Sequence, residues 1–277
     1  MVDECSHVTS ALGTLLAAEL AFSRRARESI REAFLEYLAE GSLVLEPVPV
    51  PGRVFYSVAK DNSDKLEWYP TVADLSGSGD LGFTAGPWIY TAAAGGTRLQ
   101  GDFLTIWKRD AACRWQVEFD GGISHGVPAD AEPMATADSA VRPAPETPPQ
   151  GLVAEDGAAE AVLDFQETCR QEGFAAALRT YARTADFHFY TEGEMPMGVA
   201  AANRHLAAHA APAVLGAWQE VGHGRSLDSS LLYTVGVLGG SNQRSRYAYV
   251  QIWQYGARVA NWGLRVLLIN PVAPASK

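Results

Sequence analysis

The feature that most constrains the fold is an internal repeat. Trp68, Phe83, Thr84 and Gly86 recur as Trp218, Tyr233, Thr234 and Gly236, all at one displacement. Ile106-Trp107 recurs as Ile252-Trp253, and Tyr37 as Tyr181, at slightly shorter displacements. Loops changed length while elements stayed, so two copies of one fold unit share the polypeptide. With 277 residues, each copy has the length of an ordinary domain.

The element pattern repeats as well. A helical spacing of apolar residues runs from Thr9 to Glu40, with Leu12, Leu15, Leu16, Leu20, Ile30, Phe34 and Tyr37 on one side. The charges Arg24, Arg25, Arg27, Glu28, Arg31 and Glu32 fill the other side and read as a solvated face, and Gly41 is expected to end the helix. A short strand (Ser42 to Pro47) and a short helix (Val54 to Asp61) follow. Four strands are then expected at Leu66–Ser76, Leu81–Tyr90, Asp102–Arg109 and Arg114–Ile123. Gly126 to Glu155 holds six prolines and few large apolar residues, the composition of an extended linker. After it, a helix over Ala158–Ala182 is interrupted near Gly173. A strand at Asp186–Thr191, a helix at Ala200–His209 and four further strands ending near Ile269 repeat the first order. The boundaries read as a domain over 1–125, a linker over 126–155 and a second domain over 156–277.

Helices covering one side of a curled antiparallel sheet make a cone-shaped half-barrel with room for a pocket at its wide end. Leu66-Glu67-Trp68-Tyr69-Pro70, Ser78-Gly79-Asp80-Leu81-Gly82-Phe83-Thr84-Ala85-Gly86 and Trp107-Lys108-Arg109 resemble the central signature of the SnoaL-like and DUF4440 branch of the nuclear-transport-factor-2-like (NTF2-like) superfamily. Trp115 to Asp120 with Gly122 continues the resemblance, and Tyr233-Thr234 with Gly236 carries it more loosely into the second half. The resemblance implies an α+β fold of two tandem half-barrels. Its members include isomerases, dehydratases, cyclases, hydrolases, ligand binders and structural partners, so it implies no single activity. Members commonly dimerise sheet to sheet. The strand Tyr247–Tyr255 has apolar residues on both faces, so both are expected to be covered, and pairing of the two copies as an internal pseudo-dimer is the expected arrangement.

Bulk properties narrow the function. A net charge of −10 with no segregated basic patch disfavours nucleic acid. No apolar run is long enough to span a membrane, and the acidic start lacks the pattern of a secretory signal. Cys5, Cys113 and Cys169 are odd in number and far apart, which argues against a disulfide framework and for a reducing, cytoplasmic setting.

Two carboxylates are candidates for a general base. Asp120, on the last strand of the first copy, is flanked on its own face by Gln116 and Glu118, which also reads as a polar sheet surface or interface stripe. Its counterpart in the second copy is Leu267, so such chemistry is confined to one half. Asp74 sits within a strand, whereas Asp80 in Ser-Gly-Asp-Leu-Gly reads as a turn residue. Candidate ligand contacts are the repeated aromatics Tyr37, Trp68, Phe83, Trp107, Trp218, Tyr233 and Trp253, with Trp88. His188 and Tyr190 share a strand face, and His223 follows Trp218; such histidines with a tyrosine in an aromatic pocket suit acid–base work or a polar ligand, and they also read as hydrogen-bonded structural residues. His205 and His209 share a helix face, but two ligands rarely hold zinc, and no metal or other cofactor is expected.

The leading expectation is a pocket for a small apolar molecule. The alternatives are a ketosteroid-isomerase-like enzyme using Asp120 or Asp74, and a non-catalytic protein-interaction scaffold. An open pocket holding a desolvated carboxylate favours the enzyme, one without it favours binding, and filled cones favour the scaffold.

Overall fold

The computed structural model describes residues 8–60, 62–93, 97–126, 142–143, 155–182, 186–208, 215–240, 246–256 and 261–272. The chain divides into two compact units. Unit 1 comprises Met1–Glu46 and Val50–Pro145, and unit 2 comprises Glu146–Lys277 with Pro47–Pro49.

In unit 1 the long helical pattern breaks into α1 (Val8–Ala26) and α2 (Ile30–Tyr37). Ser29 causes the break: its backbone is extended and its side chain accepts from the Glu32 amide at 3.2 Å, starting a new helix. Gly41 lies inside strand β1 (Leu38–Leu45) rather than ending a helix. Next come β2 (Pro49–Pro51) and α3 (Gly52–Val58), then β3 (Lys65–Trp68) and β4 (Val72–Leu75), split at Pro70. The long strands β5 (Leu81–Thr91), β6 (Arg98–Arg109) and β7 (Trp115–Ser124) form the sheet centre. Within the expected linker, Arg142–Pro143 forms β8, which pairs in parallel with β4. The remaining linker residues at 127–141 and 144–154 lie outside the described residues.

In unit 2, α4 (Glu155–Glu172) and α5 (Phe174–Tyr181) are separated at Gly173, whose φ of 87° suits glycine. β9 (His188–Tyr190) and α6 (Val199–Ala208) precede the strands β10 (Leu215–Arg225), β11 (Leu231–Gly240), β12 (Arg246–Gly256) and β13 (Asn261–Val272).

The two sheets share a core strand order, with β2 and β8 added at the edges of the first. Unit 1 reads β2-β1-β7-β6-β5-β4-β8 with β3 also on β5, and unit 2 reads β10-β11-β12-β13-β9. In each, the strand after the helical hairpin joins the last long strand in parallel, β1 on β7 and β9 on β13. The register aligns the units residue by residue. Thr84 faces Thr105, which faces Asp120; Thr234 faces Gln251, which faces Leu267.

The side chains repeat too. Phe22 contacts the rings of Tyr37, Trp68 and Trp107 at 4.9, 4.9 and 6.0 Å. Phe165 contacts Tyr181, Trp218 and Trp253 at 5.8, 6.1 and 5.5 Å. Each quartet seals the helices onto the sheet. The repeated glycine is also explained. A Cβ on Gly86 would stand 2.2 Å from the Tyr69 carbonyl oxygen, and one on Gly236 would stand 2.1 Å from that of Gln219. The other sheet face is buried as well: Phe83, Ile106 and Phe119, or Val235, Val250 and Val266, are at most 1% exposed.

Candidate functional site

Unit 1 encloses a cavity of about 560 Å³ between its helices and the open end of its sheet. Phe34, Tyr56, Trp68, Trp88, Tyr90 and Phe103 line it, with Val44, Leu45, Leu66, Leu99 and Ile123 between them. Tyr56, brought in by α3, stacks on Phe34 of α2 with centroids 4.1 Å apart. The polar atoms of three wall residues are turned away into bonds. Trp68 Nε1 donates to Glu19, Trp88 Nε1 to the Ile123 carbonyl at 3.2 Å, and the Tyr90 hydroxyl to Asp64. Ring surface is therefore what these walls present.

Asp120 lines this cavity because β7 is irregular. Trp107 pairs with Val117 but Ile106 pairs with Phe119, so Glu118 is an extra residue in a β-bulge. The bulge shifts the alternation, and Asp120 joins the face of Val117, Thr105 and Trp107 rather than that of Gln116. The expected polar neighbours Gln116 and Glu118 are thus replaced by Val117 and Trp107, with Thr105 beside them. Asp120 Oδ2 accepts from Thr105 Oγ1 at 2.7 Å. Burial pushes the Asp120 carboxyl up to about 8; the charges of Glu19 and Glu46 push the same way, against the Thr105 bond. Burial likewise raises Glu46. Tyr56 is raised by burial first, then by Asp120 and Glu46.

Behind the Trp68 wall lies a second carboxyl that the sequence reading missed. Glu19, on α1 and fully buried, accepts from Trp107 Nε1 at 2.8 Å and from the Trp68 indole and the Thr84 hydroxyl. Desolvation raises its pKa, partly opposed by these three bonds. It stands in the helical series Leu15, Glu19, Phe22 and Ala26, all 0% exposed. An acid inside an otherwise apolar a/d-type stripe was the available signal.

The other candidates fall elsewhere. Asp74 is buried in β4, where its Oδ1 accepts from the Leu75 amide at 2.8 Å, and it does not line the cavity. Asp80 accepts from Ser76 and Ser78 within the turn, as turn chemistry predicts. Of the aromatic candidates in unit 1, Trp68 and Trp88 line the cavity, whereas Tyr37, Phe83 and Trp107 do not. In unit 2, Trp253 lies in the helix-side core, and Trp218 packs against it. Tyr233 and Tyr190 are buried outside that core, and the His188 and Tyr190 rings stack at 6.3 Å. Burial lowers the pKa of His188. His223 is not in an aromatic pocket: it is exposed on β10, with Nδ1 2.6 Å from Glu220. His205 approaches Glu194 at 3.8 Å, and His209 lies outside the described residues. Among the described residues no group of three or more His, Cys, Asp or Glu is placed to hold a metal ion.

Cys113 is disulfide-bonded, with its partner outside the described residues, while Cys169 is a free thiol buried in the unit 2 core. This corrects the expectation that spacing keeps the cysteines unpaired, and removes the argument for a reducing compartment built on it. Among the described residues no helix is long and apolar enough to cross a membrane.

The chain is similar to NTF2-like proteins. An NTF-2 like protein of unknown function from Shewanella oneidensis MR-1 is 9% identical over 42% of this chain and 97% of its own, with a TM-score of 0.35. An NTF2-like protein from Cytophaga hutchinsonii is 10% identical over 41% of this chain and 98% of its own, with a TM-score of 0.31. A protein of unknown function with a cystatin-like fold, from Methylobium petroleophilum PM1, is 9% identical over 46% and 82%, with a TM-score of 0.33. No protein-family model and no curated protein matches the chain.

Proposed function

We infer that unit 1 binds a small, largely apolar molecule, and that unit 2 lacks the acidic groups of that site. The observation behind this reading is the 560 Å³ cavity with six aromatic residues in its wall. Pockets of this size and lining suit planar organic ligands. The direct test is a ligand screen by thermal shift on the full chain and on a Leu99→Trp variant. Leu99 lines the cavity yet is 48% exposed, so a larger ring there narrows the site at little cost to folding. Hits that stabilise the parent by several degrees should lose most of that shift in the variant. Hits that shift both proteins equally would place the binding elsewhere.

A second reading, proton transfer of the isomerase or dehydratase kind, draws support from Asp120. Such an enzyme must first bind the same ligand, so this reading adds to the binding one: the desolvated Asp120 carboxyl in the cavity wall, at about 8, is matched to exchange protons near neutrality. As a general base it works in its ionised form, so turnover of any substrate found should rise with pH and level off above about 8. Asp120→Asn should abolish that turnover, and an unchanged rate would remove Asp120 from the mechanism.

A further inference from the structure

We propose that the ligand of the unit 1 cavity is an organic cation, an ammonium carried on an apolar ring or chain. This rests on the small-molecule reading above and names the chemistry of its ligand.

Three observations converge. First, the charged or ionisable residues lining the cavity are Glu46, Tyr56, Tyr90 and Asp120, and among the described residues no Lys, Arg or His lines it. An anionic ligand would meet carboxyls with nothing to offset them. Second, six aromatic residues form the wall, and three of them have their N–H or O–H groups bonded away from the interior. Rings with a negative face attract cations, and the attraction grows as water is excluded. Third, the carboxyls are arranged along the cavity. Glu46 and Asp120 both line it, Asp120 opposite Thr105, and Glu19 lies behind Trp68.

The cavity's own groups hold its acids in a poor state for charge. Burial and mutual repulsion among Asp120, Glu19 and Glu46 keep Asp120 protonated up to about 8. A bound ammonium supplies the missing counter-charge, stabilises the Asp120 carboxylate and drives one proton to solvent. Cation binding should therefore strengthen as pH rises toward 8 and release a proton below it.

Phenyltrimethylammonium and tert-butylbenzene provide the test. They have the same shape and differ by one charge. Calorimetric titration of the full chain at pH 8.5 should show the ammonium bound at least tenfold tighter. The preference should shrink at pH 6, where the binding heat should also depend on buffer ionisation. Asp120→Asn should weaken the ammonium at least fivefold and leave the neutral isostere unchanged. Asp120→Leu, which installs the residue found at this register in unit 2, should give the same result, and circular dichroism checks that both variants fold. Equal or tighter binding of tert-butylbenzene by the parent overturns the cation proposal and leaves the cavity reading standing. Binding of neither compound at millimolar concentration overturns both.

Discussion

Unit 1 and unit 2 share strand order, turn bonding and an aromatic quartet, yet differ at two interior positions where one has an acid and the other a hydrocarbon. On the first helix, the series Leu15, Glu19, Phe22 and Ala26 corresponds to Ala158, Val162, Phe165 and Cys169, placing Val162 where unit 1 has Glu19. On the last strand, Leu267 stands where unit 1 has Asp120. The sheet of unit 2 has adapted to the first change. Gln251, in place of Thr105, accepts from Trp253 Nε1 at 3.1 Å and from Thr234 at 3.3 Å. Trp218 Nε1 and Gln251 Nε2 are left buried without a hydrogen-bond partner. A shared scaffold therefore tolerates either an acidic or a hydrocarbon interior at these positions, and in unit 1 the acids adjoin the aromatic cavity.

The largest effect that would test this contrast is expected at Glu19. Glu19→Ala leaves two buried indole N–H groups and the Thr84 hydroxyl without their shared acceptor and opens a void. We expect a loss of about 3–5 kcal/mol in urea unfolding. Val162→Ala, at the equivalent position, removes only methyl groups and should cost about 1–2 kcal/mol. Equal losses would mean that Glu19 fills space and does not organise unit 1.

Next in size is a place where the units should behave alike. Gly86→Ala and Gly236→Ala each force a methyl into a backbone carbonyl oxygen, that of Tyr69 or of Gln219. Each should cost about 2–4 kcal/mol, because the obstacle is backbone and cannot rotate aside. A large loss at only one site would show that the repeated glycine serves different ends in the two copies.

How far the sequence revealed these features follows from how each is built. Trp68 and Trp218, Trp107 and Trp253, and Tyr37 and Tyr181 are identical residues in matching surroundings, so the duplication and the strand order were readable. Phe22 and Phe165 were not paired, because their helices have little else in common. Glu19 was missed because its partners Trp68, Thr84 and Trp107 lie on distant strands, joined to it only by folding. Asp120 was recognised as a candidate, but its face was misread. Alternation extrapolates a regular strand, and the extra residue at Glu118 reverses the phase. The same irregularity recurs at Arg265 in β13, so the bulge belongs to the repeat and could not be seen in either copy's apolar pattern.

The pH dependence of stability sharpens the comparison at a smaller scale. Asp120 holds its proton up to about 8 in the folded chain and releases it near the ordinary 3.8 when unfolded. The folded state thus binds the proton more tightly, and stability should fall as pH rises between about 4 and 8, then level off. Glu19, also raised, adds to the same slope. Asp120→Leu should remove its share, melting higher than the parent by on the order of 5 °C at pH 9, with the gap closing toward pH 4. A gap that is constant from pH 5 to 9 would mean that the substitution acts through packing alone.

The smallest effect is the most discriminating. A glutamate introduced at a buried apolar position ordinarily destabilises by several kcal/mol, since its charge is desolvated without compensation. Val162→Glu should be an exception. It places a carboxyl on α4 where unit 1 has Glu19, toward a sheet whose Trp218 Nε1 and Gln251 Nε2 lack acceptors. We expect a net change within about 1–2 kcal/mol, against a loss of about 4 kcal/mol or more for Val250→Glu, which buries the same group on the opposite face of the sheet between Val235 and Leu268. The indole environment of Trp218 should shift with it, read as a downfield move of its Nε1 proton resonance. If Val162→Glu is as damaging as Val250→Glu, the orphaned donors of unit 2 do not converge as those of unit 1 do, and the interior was rebuilt rather than neutralised.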